Sequence, residues 1–180
     1  KAFVEDLNSC PDILTMAIDR EKNKVLSSML KFKFDQHKRD CHGDMPIHAA
    51  ASKGHFDAVK SMLETDRSLI NEENGEGQTP LELALSKVNV DLPLFLVKQS
   101  HINMDRILES DRRILLHAGI IADDTAAIDK LLKAKQSSNN HALLLENSLV
   151  SGSFNAAKII LNNYVDNNDK MHEGLLNGAT

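Results

Sequence analysis

Apolar residues recur along the chain in pairs of short segments with helical spacing. The first segment of each pair has a small residue at its centre, and the second carries apolar residues three or four positions apart. The small central residues are Ala17, Ala50, Ala84, Gly119 and Ser148. They lie 33, 34, 35 and 29 residues apart, and a second helix is predicted after each. The pattern therefore predicts five helix–turn–helix units in series.

The predicted second helices are short, and their spacing is regular. They cover residues 25–30, 58–63, 92–97, 127–132 and 156–161. Isolated helices of this length are marginal in water, so each unit must bury its apolar face on a neighbouring unit. We therefore predict an all-α fold made of stacked helix pairs.

The repeat spacing also predicts how the domain is divided. We expect a single domain over residues 1–180, with units at about 8–39, 40–73, 74–108, 109–137 and 138–170. Residues 162–169 are rich in Asn and Asp and are predicted to form a loop. Residues 171–180 are predicted to open a further unit or to form a cap. Because neither end resembles a polar capping unit, we expect the chain to be a fragment of a longer protein.

The clearest unit is residues 40–63, with the sequence DCHGDMPIHAAASKGHFDAVKSML. Gly43 permits a tight turn with positive φ, and Pro46 presets the first turn of a helix. A second turn is predicted at Gly54. The stretch from 54 to 60, GHFDAVK, matches GSFNAAK at 152–158 in four of seven residues. The distant units are therefore interpreted as copies of one pattern.

These motifs resemble the ankyrin repeat family, whose pattern includes T-P-L-H-x-A. The second unit supplies Gly43, Pro46, Ile47, His48, Ala50, Ala51 and Gly54; the third supplies Gly77, Thr79, Pro80, Leu81 and Ala84. In the first and fourth units, Cys10 and Arg112 replace the turn glycine, and the fifth unit is also degenerate. The resemblance implies an α-solenoid of ankyrin-like repeats with short turns at the tips.

Charge and composition narrow the partner class. The net charge of −5 disfavours a general surface for nucleic acid or acidic lipid. No apolar run approaches the length of a membrane span, so membrane insertion is not expected. Two cysteines provide no disulfide framework, which indicates a reducing compartment, cytoplasmic or nuclear. A monomer is expected.

The chain offers little catalytic chemistry. His37, Cys41 and His42 are too few for a zinc site. His48 and His117 occupy equivalent positions and are interpreted as the repeat histidine that hydrogen-bonds backbone between units. The carboxylate pairs at 72–73 and 123–124 are interpreted as solvated surface. No cofactor, metal or catalytic residue is predicted, and this segment is not expected to be an enzyme.

The resemblance implies a partner surface built from turn tips and the exposed side of the first helices. By matched position, the tip residues are Cys41, His42, Asp44, Glu76, Gln78, Ser110, Asp111 and Arg113. The helix residues facing the groove are Asp19, Arg20, Ser52, Lys53, Ser86, Lys87, Ile121 and Val150. These positions are not needed by the fold, so they can vary for recognition.

Two properties of this surface are predicted. Arg20, Lys53 and Lys87 would form a basic row suited to an acidic partner segment. Further along, Ile121 and Val150 would make the groove apolar together with Ile120, unless one isoleucine packs inside its unit.

The leading functional prediction is a non-enzymatic module that binds a protein or peptide. The degenerate repeats also look similar to ankyrin proteins that intracellular bacteria deliver into host cells. The alternative is a repeat segment that recruits substrate for an enzyme whose catalytic domain lies outside residues 1–180. A purely structural spacer or self-association surface is a third option.

Overall fold

The computed structural model describes residues 13–20, 23–32, 34–86, 89–134 and 141–177. This part of the chain contains ten α-helices, one short 3₁₀ helix and no strand. The first six α-helices are α1 (Ile13–Asp19), α2 (Asn23–Lys31), α3 (Pro46–Lys53), α4 (Phe56–Thr65), α5 (Pro80–Leu85) and α6 (Asp91–Lys98). The other four are α7 (Glu109–Ile121), α8 (Thr125–Lys133), α9 (His141–Val150) and α10 (Phe154–Asn177), and the 3₁₀ helix is Arg67–Asn71.

The five predicted helix pairs are present, so the all-α prediction is confirmed. Each small central residue lies in the first helix of its pair and is buried there. Each predicted second helix lies inside α2, α4, α6, α8 or α10. Small side chains at these centres let neighbouring first helices approach closely, which is why the repeat period is visible in the sequence.

The helices form two compact modules. The N-terminal module comprises Lys1–Leu96 with Ser100–Ile102, and the C-terminal module comprises Val97–Gln99 with Asn103–Thr180. In the N-terminal module, α3 packs between α1 and α5, while α2 packs on α4. In the C-terminal module, α7 packs on α8 and α9, and α10 packs on α8 and α9. Each module is thus a stack of helix pairs, with first helices on first helices and second helices on second helices.

Local sequence sets where the central helices begin and end. Pro46 and Pro80 are the first residues of α3 and α5, where a missing N–H costs nothing. At α5, the Thr79 N–H donates to Glu82 Oε2 at 2.8 Å, and the Glu82 N–H donates to Thr79 Oγ1 at 3.4 Å. At the end of α3, Gly54 adopts φ 73° and caps the helix.

The predicted loop at 162–169 is wrong, because these residues lie within α10. Residues 171–177 also lie within α10. The assignment of residues 171–180 as the start of a further unit or as a cap stays a prediction. Asn and Asp lower helix propensity by only a few tenths of a kcal/mol each. Ala156 and Ile160 already anchor the first turns in the core, and extending an existing helix is much easier than nucleating one.

The fourth repeat also differs from its prediction. Arg112, expected in place of a turn glycine, is buried within α7, and Cys10 lies outside the described residues. Ser110, Asp111 and Arg113, expected at a tip, therefore lie in the first turns of α7. The buried stripe of Leu115, Leu116, Gly119 and Ile120 continues back to position 112 at helical spacing, which extends the helix by a turn.

Candidate functional site

The first tip turn, Asp40–Asp44, is organised by the side chain of its first residue. Asp40 Oδ1 accepts hydrogen bonds from the backbone N–H of His42 at 2.8 Å and of Asp44 at 2.9 Å. The Asp40 N–H also donates to the Asp44 carbonyl at 2.9 Å, and Gly43 supplies the required φ of 80°. The turn is therefore fixed by its own short-range hydrogen bonds.

The second tip turn, Asn74–Gln78, repeats this geometry one period later. Asn74 Oδ1 accepts the N–H of Glu76 at 3.0 Å and of Gln78 at 2.8 Å. The Asn74 N–H donates to the Gln78 carbonyl at 2.9 Å, and Gly77 has φ 76°. Aspartate and asparagine are interchangeable here because both present an oxygen acceptor at the same position.

The two tip turns touch along their backbones. Asn74 Nδ2 donates to Asp44 Oδ1 at 2.7 Å. A Cβ atom added to Gly75 would lie 2.2 Å from the His42 carbonyl oxygen, so only glycine fits this contact. The turns are held at a distance that excludes any side chain between them.

The side chain of Arg39 also connects the two tip turns. Its Nη1 donates to the Gly43 carbonyl at 2.9 Å and to the Glu73 carbonyl at 2.6 Å, and Nη2 lies 3.5 Å from Glu72 Oε2. In the sequence, Arg39 belongs to a local basic cluster with Lys31, Lys33 and Lys38, which is interpreted as solvated surface. In the structure its planar guanidinium bridges backbone carbonyls of neighbouring repeats, a role that suits arginine better than lysine.

The predicted tip residues of the N-terminal module separate into two groups. Cys41, His42 and Glu76 are exposed on the outer side of the turns. Asp44 and Gln78 are half-buried and close the turns through the hydrogen bonds given above. The structure thus brings three predicted contact residues together on a rigid base.

The predicted helix-face residues of the N-terminal module are less uniform. Arg20, Lys53 and Ser86 are exposed at the ends of α1, α3 and α5. Ser52 is half-buried, and its hydroxyl donates to the Ala49 carbonyl at 3.0 Å. The Asp19 side chain and all of Lys87 lie outside the described residues, so the predicted basic row is traced only through Arg20 and Lys53.

In the C-terminal module the predicted contact positions are mainly exposed. Ile121 is 76% exposed and Val150 is 83% exposed, at equivalent positions of α7 and α9, whereas Ile120 is buried at 1%. One isoleucine therefore packs inside its repeat, and the other faces outward. On the first turns of α7, Ser110 and Arg113 are exposed, and Asp111 is half-buried.

His48 has the structural role expected of a repeat histidine. It is fully buried, its Nδ1 accepts the Met45 N–H at 3.1 Å, and its Nε2 donates to the Glu72 carbonyl at 2.9 Å. Burial lowers the pKa of His48, which favours the neutral ring that these two bonds require. His117, expected to act in the same way, is instead exposed on α7.

The sequence prediction missed two carboxylates that organise the C-terminal module. Asp123 Oδ1 accepts the Ala156 N–H at 2.9 Å, and its Oδ2 accepts Asn155 Nδ2 at 2.6 Å, which caps α10. Asp124 caps its own helix α8 by accepting the Ala127 N–H at 3.3 Å, and it pairs with Lys98 at 2.7 Å. The sequence predicted that Asp123 and Asp124 are solvated surface residues, but in the structure both side chains cap helices. Asp123 occupies the position at which Gly54 and Gly152 stand in other repeats, and like them it has a positive φ, 49°. An aspartate at this glycine position is the signal that the sequence offered.

Other possible sites in the described residues offer no catalytic or metal-binding geometry. No group of three His, Cys, Asp or Glu side chains there could hold a metal ion. None of the helices described is long and apolar enough to cross a membrane. A cleft of about 550 Å³ between α2 and α4 is lined by Lys24, Lys31 and Lys60 with Asp57 and Glu64, a mixed-charge surface.

Comparison with known proteins agrees with this geometry. The chain is 30% identical over 86 residues to alpha-latrocrustotoxin-Lt1a from Latrodectus tredecimguttatus, covering 48% of this chain. It is 29% identical over 82 residues, 44% of this chain, to the NF-kappa-B inhibitor cactus from Drosophila yakuba. These matches span 6% and 17% of the two relatives. The family model described as ankyrin repeats (3 copies) matches residues 14–107, over half of the chain. Together with the stacked helix pairs, this match shows that the chain belongs to the ankyrin repeat family.

Proposed function

We propose that this chain is a protein-binding module that holds a protein or peptide partner through its tip turns and the exposed faces of its first helices. Ankyrin repeats are protein–protein interaction modules and not catalytic domains. The observation that carries the proposal is the rigid pair of tip turns, from which Cys41, His42 and Glu76 extend into solvent. A pre-organised backbone loses little conformational entropy on binding, so side chains displayed on it bind efficiently.

The chemistry of the exposed positions suggests the partner's chemistry. Arg20 and Lys53, with Lys87 at the equivalent position of the next repeat, would favour an acidic segment. Such binding is electrostatic, so it weakens as salt concentration rises. In the C-terminal module, Ile121 and Val150 would contact an apolar part of the partner.

The similar proteins support the proposal that this chain recognises a protein, but they do not define its role in the cell. Cactus carries the name of an inhibitor of NF-kappa-B, and so acts on another protein. By analogy we propose a protein target and a cytoplasmic or nuclear location for this chain. Delivery by a bacterium into a host cell stays a prediction, as does recruitment of substrate for an attached catalytic domain. The full-length reading frame tests the second of these predictions, because a catalytic motif beyond residues 1–180 would favour recruitment of substrate.

The test is affinity capture from a eukaryotic cell lysate with two matched variants of the bait. The tip variant carries Cys41→Ala, His42→Ala and Glu76→Ala, all exposed. The control variant carries Lys60→Ala and Glu64→Ala, which are exposed on α4 away from the tips. A protein retained by wild type and control but lost from the tip variant supports the proposal. Equal retention by all three baits contradicts it.

A second variant series tests the acidic segment. Once a partner is identified, Arg20→Glu, Lys53→Glu and Lys87→Glu together should weaken its affinity, and the loss should shrink in high salt. Unchanged affinity at low salt would exclude the basic row as a binding surface.

A further inference from the structure

In the second tip turn, Asn74 is followed directly by Gly75. An asparagine side chain is converted to aspartate when the backbone nitrogen of the next residue attacks its amide carbon. A side chain on that next residue hinders the attack, and glycine has none. Gly75 is also exposed, so water reaches this part of the turn. The sequence of the turn therefore favours spontaneous deamidation of Asn74.

The folded turn presents the groups that this reaction uses. Asn74 Oδ1 accepts the N–H of Glu76 at 3.0 Å and of Gln78 at 2.8 Å. These bonds hold the side-chain amide beside the backbone of Gly75, and the two N–H groups face the oxygen on which negative charge develops during attack. Within the described part of the chain the Gly75 N–H donates no hydrogen bond, which leaves its nitrogen available as the nucleophile.

The conversion needs no reagent other than water. The Gly75 nitrogen forms a bond to Asn74 Cγ and gives up its proton to solvent. The bond from Cγ to the side-chain nitrogen breaks, and that nitrogen takes up a proton and leaves as ammonia. Water then opens the cyclic imide at one of its two carbonyl carbons. Opening at one carbon gives aspartate, and opening at the other gives isoaspartate, in which the main chain runs through the side-chain carbon.

Deamidation removes a hydrogen bond that links the two tip turns. Asn74 Nδ2 donates to Asp44 Oδ1 at 2.7 Å. In the aspartate product a carboxylate oxygen replaces this nitrogen, so two carboxylates face each other and repel. The turn itself accommodates an aspartate, because Asp40 at the equivalent position of the first turn accepts the same pair of N–H groups. The aspartate product therefore disturbs the contact between the turns and not the turns themselves.

We propose that Asn74 is a site of spontaneous deamidation and that this modification uncouples the two tip turns. Cys41 and His42 on the first turn then lose their fixed position relative to Glu76 on the second. The isoaspartate product has the same effect, because its longer main chain cannot form the same turn. An effect on partner binding rests on the proposed function, whereas the modification and the uncoupling are measured without a partner.

Mass spectrometry of the folded 180-residue chain, incubated over days at mildly alkaline pH, tests the modification. Asn89 and Asn103 are internal controls, because the Oδ1 of each also accepts the N–H two residues on, at 2.8 and 2.9 Å. They are followed by Val90 and Met104 instead of glycine. We expect Asn74 to convert at least roughly tenfold faster than either, to both aspartate and isoaspartate. Equal rates at the three asparagines, or aspartate without isoaspartate, would overturn attack by the next backbone nitrogen.

Two variants test the uncoupling separately. Asn74→Asp reproduces the aspartate product, and we expect a lower urea midpoint than in wild type and several-fold faster hydrogen exchange in residues 40–44 and 74–78. Adding Asp44→Asn should restore both, because the amide then lies on the first turn and donates to a carboxylate on the second. Asp44→Asn alone should change little, since its amide oxygen still accepts from Asn74. Wild-type behaviour of Asn74→Asp, or no recovery in the double variant, would overturn the uncoupling by paired carboxylates.

Discussion

Two glycines of the N-terminal module are required for different physical reasons. Gly54 adopts φ 73°, but a Cβ there would meet nothing within 4 Å. Gly75 is instead constrained by space, because its Cβ would lie 2.2 Å from the His42 carbonyl oxygen. Backbone atoms on both sides of this contact cannot move without separating the tip turns.

We expect Gly54→Ala to lower the free energy of unfolding by about 1 kcal/mol, the usual cost of a left-handed residue with a side chain. Gly75→Ala should cost more, over about 2 kcal/mol, because the turns must part and the Asn74–Asp44 bond is lost. Urea unfolding of the two variants measures both. Equal costs would show that the tip turns are not in tight contact.

His48 makes the stability of the fold depend on pH. Burial lowers its pKa in the folded state, while the unfolded chain has the ordinary value of 6.5. Below that value the unfolded state therefore binds more protons, and the free energy of unfolding falls as pH decreases. We expect His48→Gln to be less stable than wild type near pH 8, and to lose less stability on acidification to about pH 5.

Urea unfolding across this pH range measures the effect, with His42→Gln as the matched control on an exposed histidine. Parallel pH profiles for wild type and His48→Gln would contradict the prediction. The titration of Asp66 does not contribute to the stability change measured between pH 8 and about pH 5. Its hydrogen bond from His37 lowers the Asp66 pKa to about 2, so its stabilisation is lost only as pH falls through the acid range below 3.8.

At the scale of elements, one side chain controls the start of the longest helix. Asp123 lies between α7 and α8, but its carboxylate caps α10 through Ala156 and Asn155. A cap contributes about 1 kcal/mol, and a negative charge also interacts favourably with a helix N-terminus. The first turn of α10 thus depends on a residue of the preceding repeat.

We expect Asp123→Ala to destabilise the C-terminal module by about 1–2 kcal/mol and to increase hydrogen exchange in the first turn of α10. Asp123→Asn should lose less, because asparagine tolerates positive φ and keeps an oxygen acceptor. Exchange measured by mass spectrometry distinguishes the two. If both variants exchange as wild type does in this turn, the cap contributes nothing.

The helix pairs could be predicted from the sequence because apolar spacing and a small central residue act within each repeat. The extent of α10 could not, since its Asn-rich part is weakly helical by itself and depends on anchoring by Ala156 and Ile160. Arg112 was missed for a related reason. A charged residue predicts a surface or a turn, and only the tertiary context of α7 buries it.

For the candidate site, the sequence predicted which positions lie on the tip turns but not the contacts between the turns. Cys41, His42 and Glu76, which were selected by matched position, are exposed on the tip turns. Their contact with a partner stays a prediction. The interactions that make those turns rigid were not foreseen, because Arg39 and Gly75 act across two repeats that are 34 residues apart in sequence. Asp123 was missed likewise, since its partner is 33 residues away. Periodicity identifies positions, whereas contacts between repeats require the structure.

At the scale of the whole molecule, the two modules raise the question of how stability is distributed. In a repeat protein each helix pair contacts mainly its neighbours, so stability is approximately a sum of local terms. Met62 in the N-terminal module and Leu131 in the C-terminal module occupy equivalent positions, twelve residues after the central small residue. Both are fully buried. They provide a matched pair of core positions, one in each module.

We expect Met62→Ala and Leu131→Ala each to cost about 2–5 kcal/mol, the range for a large-to-small change in a packed core. If stability is local, Met62→Ala should speed hydrogen exchange in α3 and α4, whereas Leu131→Ala should speed it in α8 and α10. Each variant is the control for the other, since the two substitutions are alike in chemistry and burial.

Equal acceleration of hydrogen exchange across all helices in both variants would mean that the chain unfolds as one cooperative unit. Exchange confined to the mutated module would mean that each module retains its fold when the other opens. In that case the exposed surfaces of the two modules could be varied independently in a search for partners.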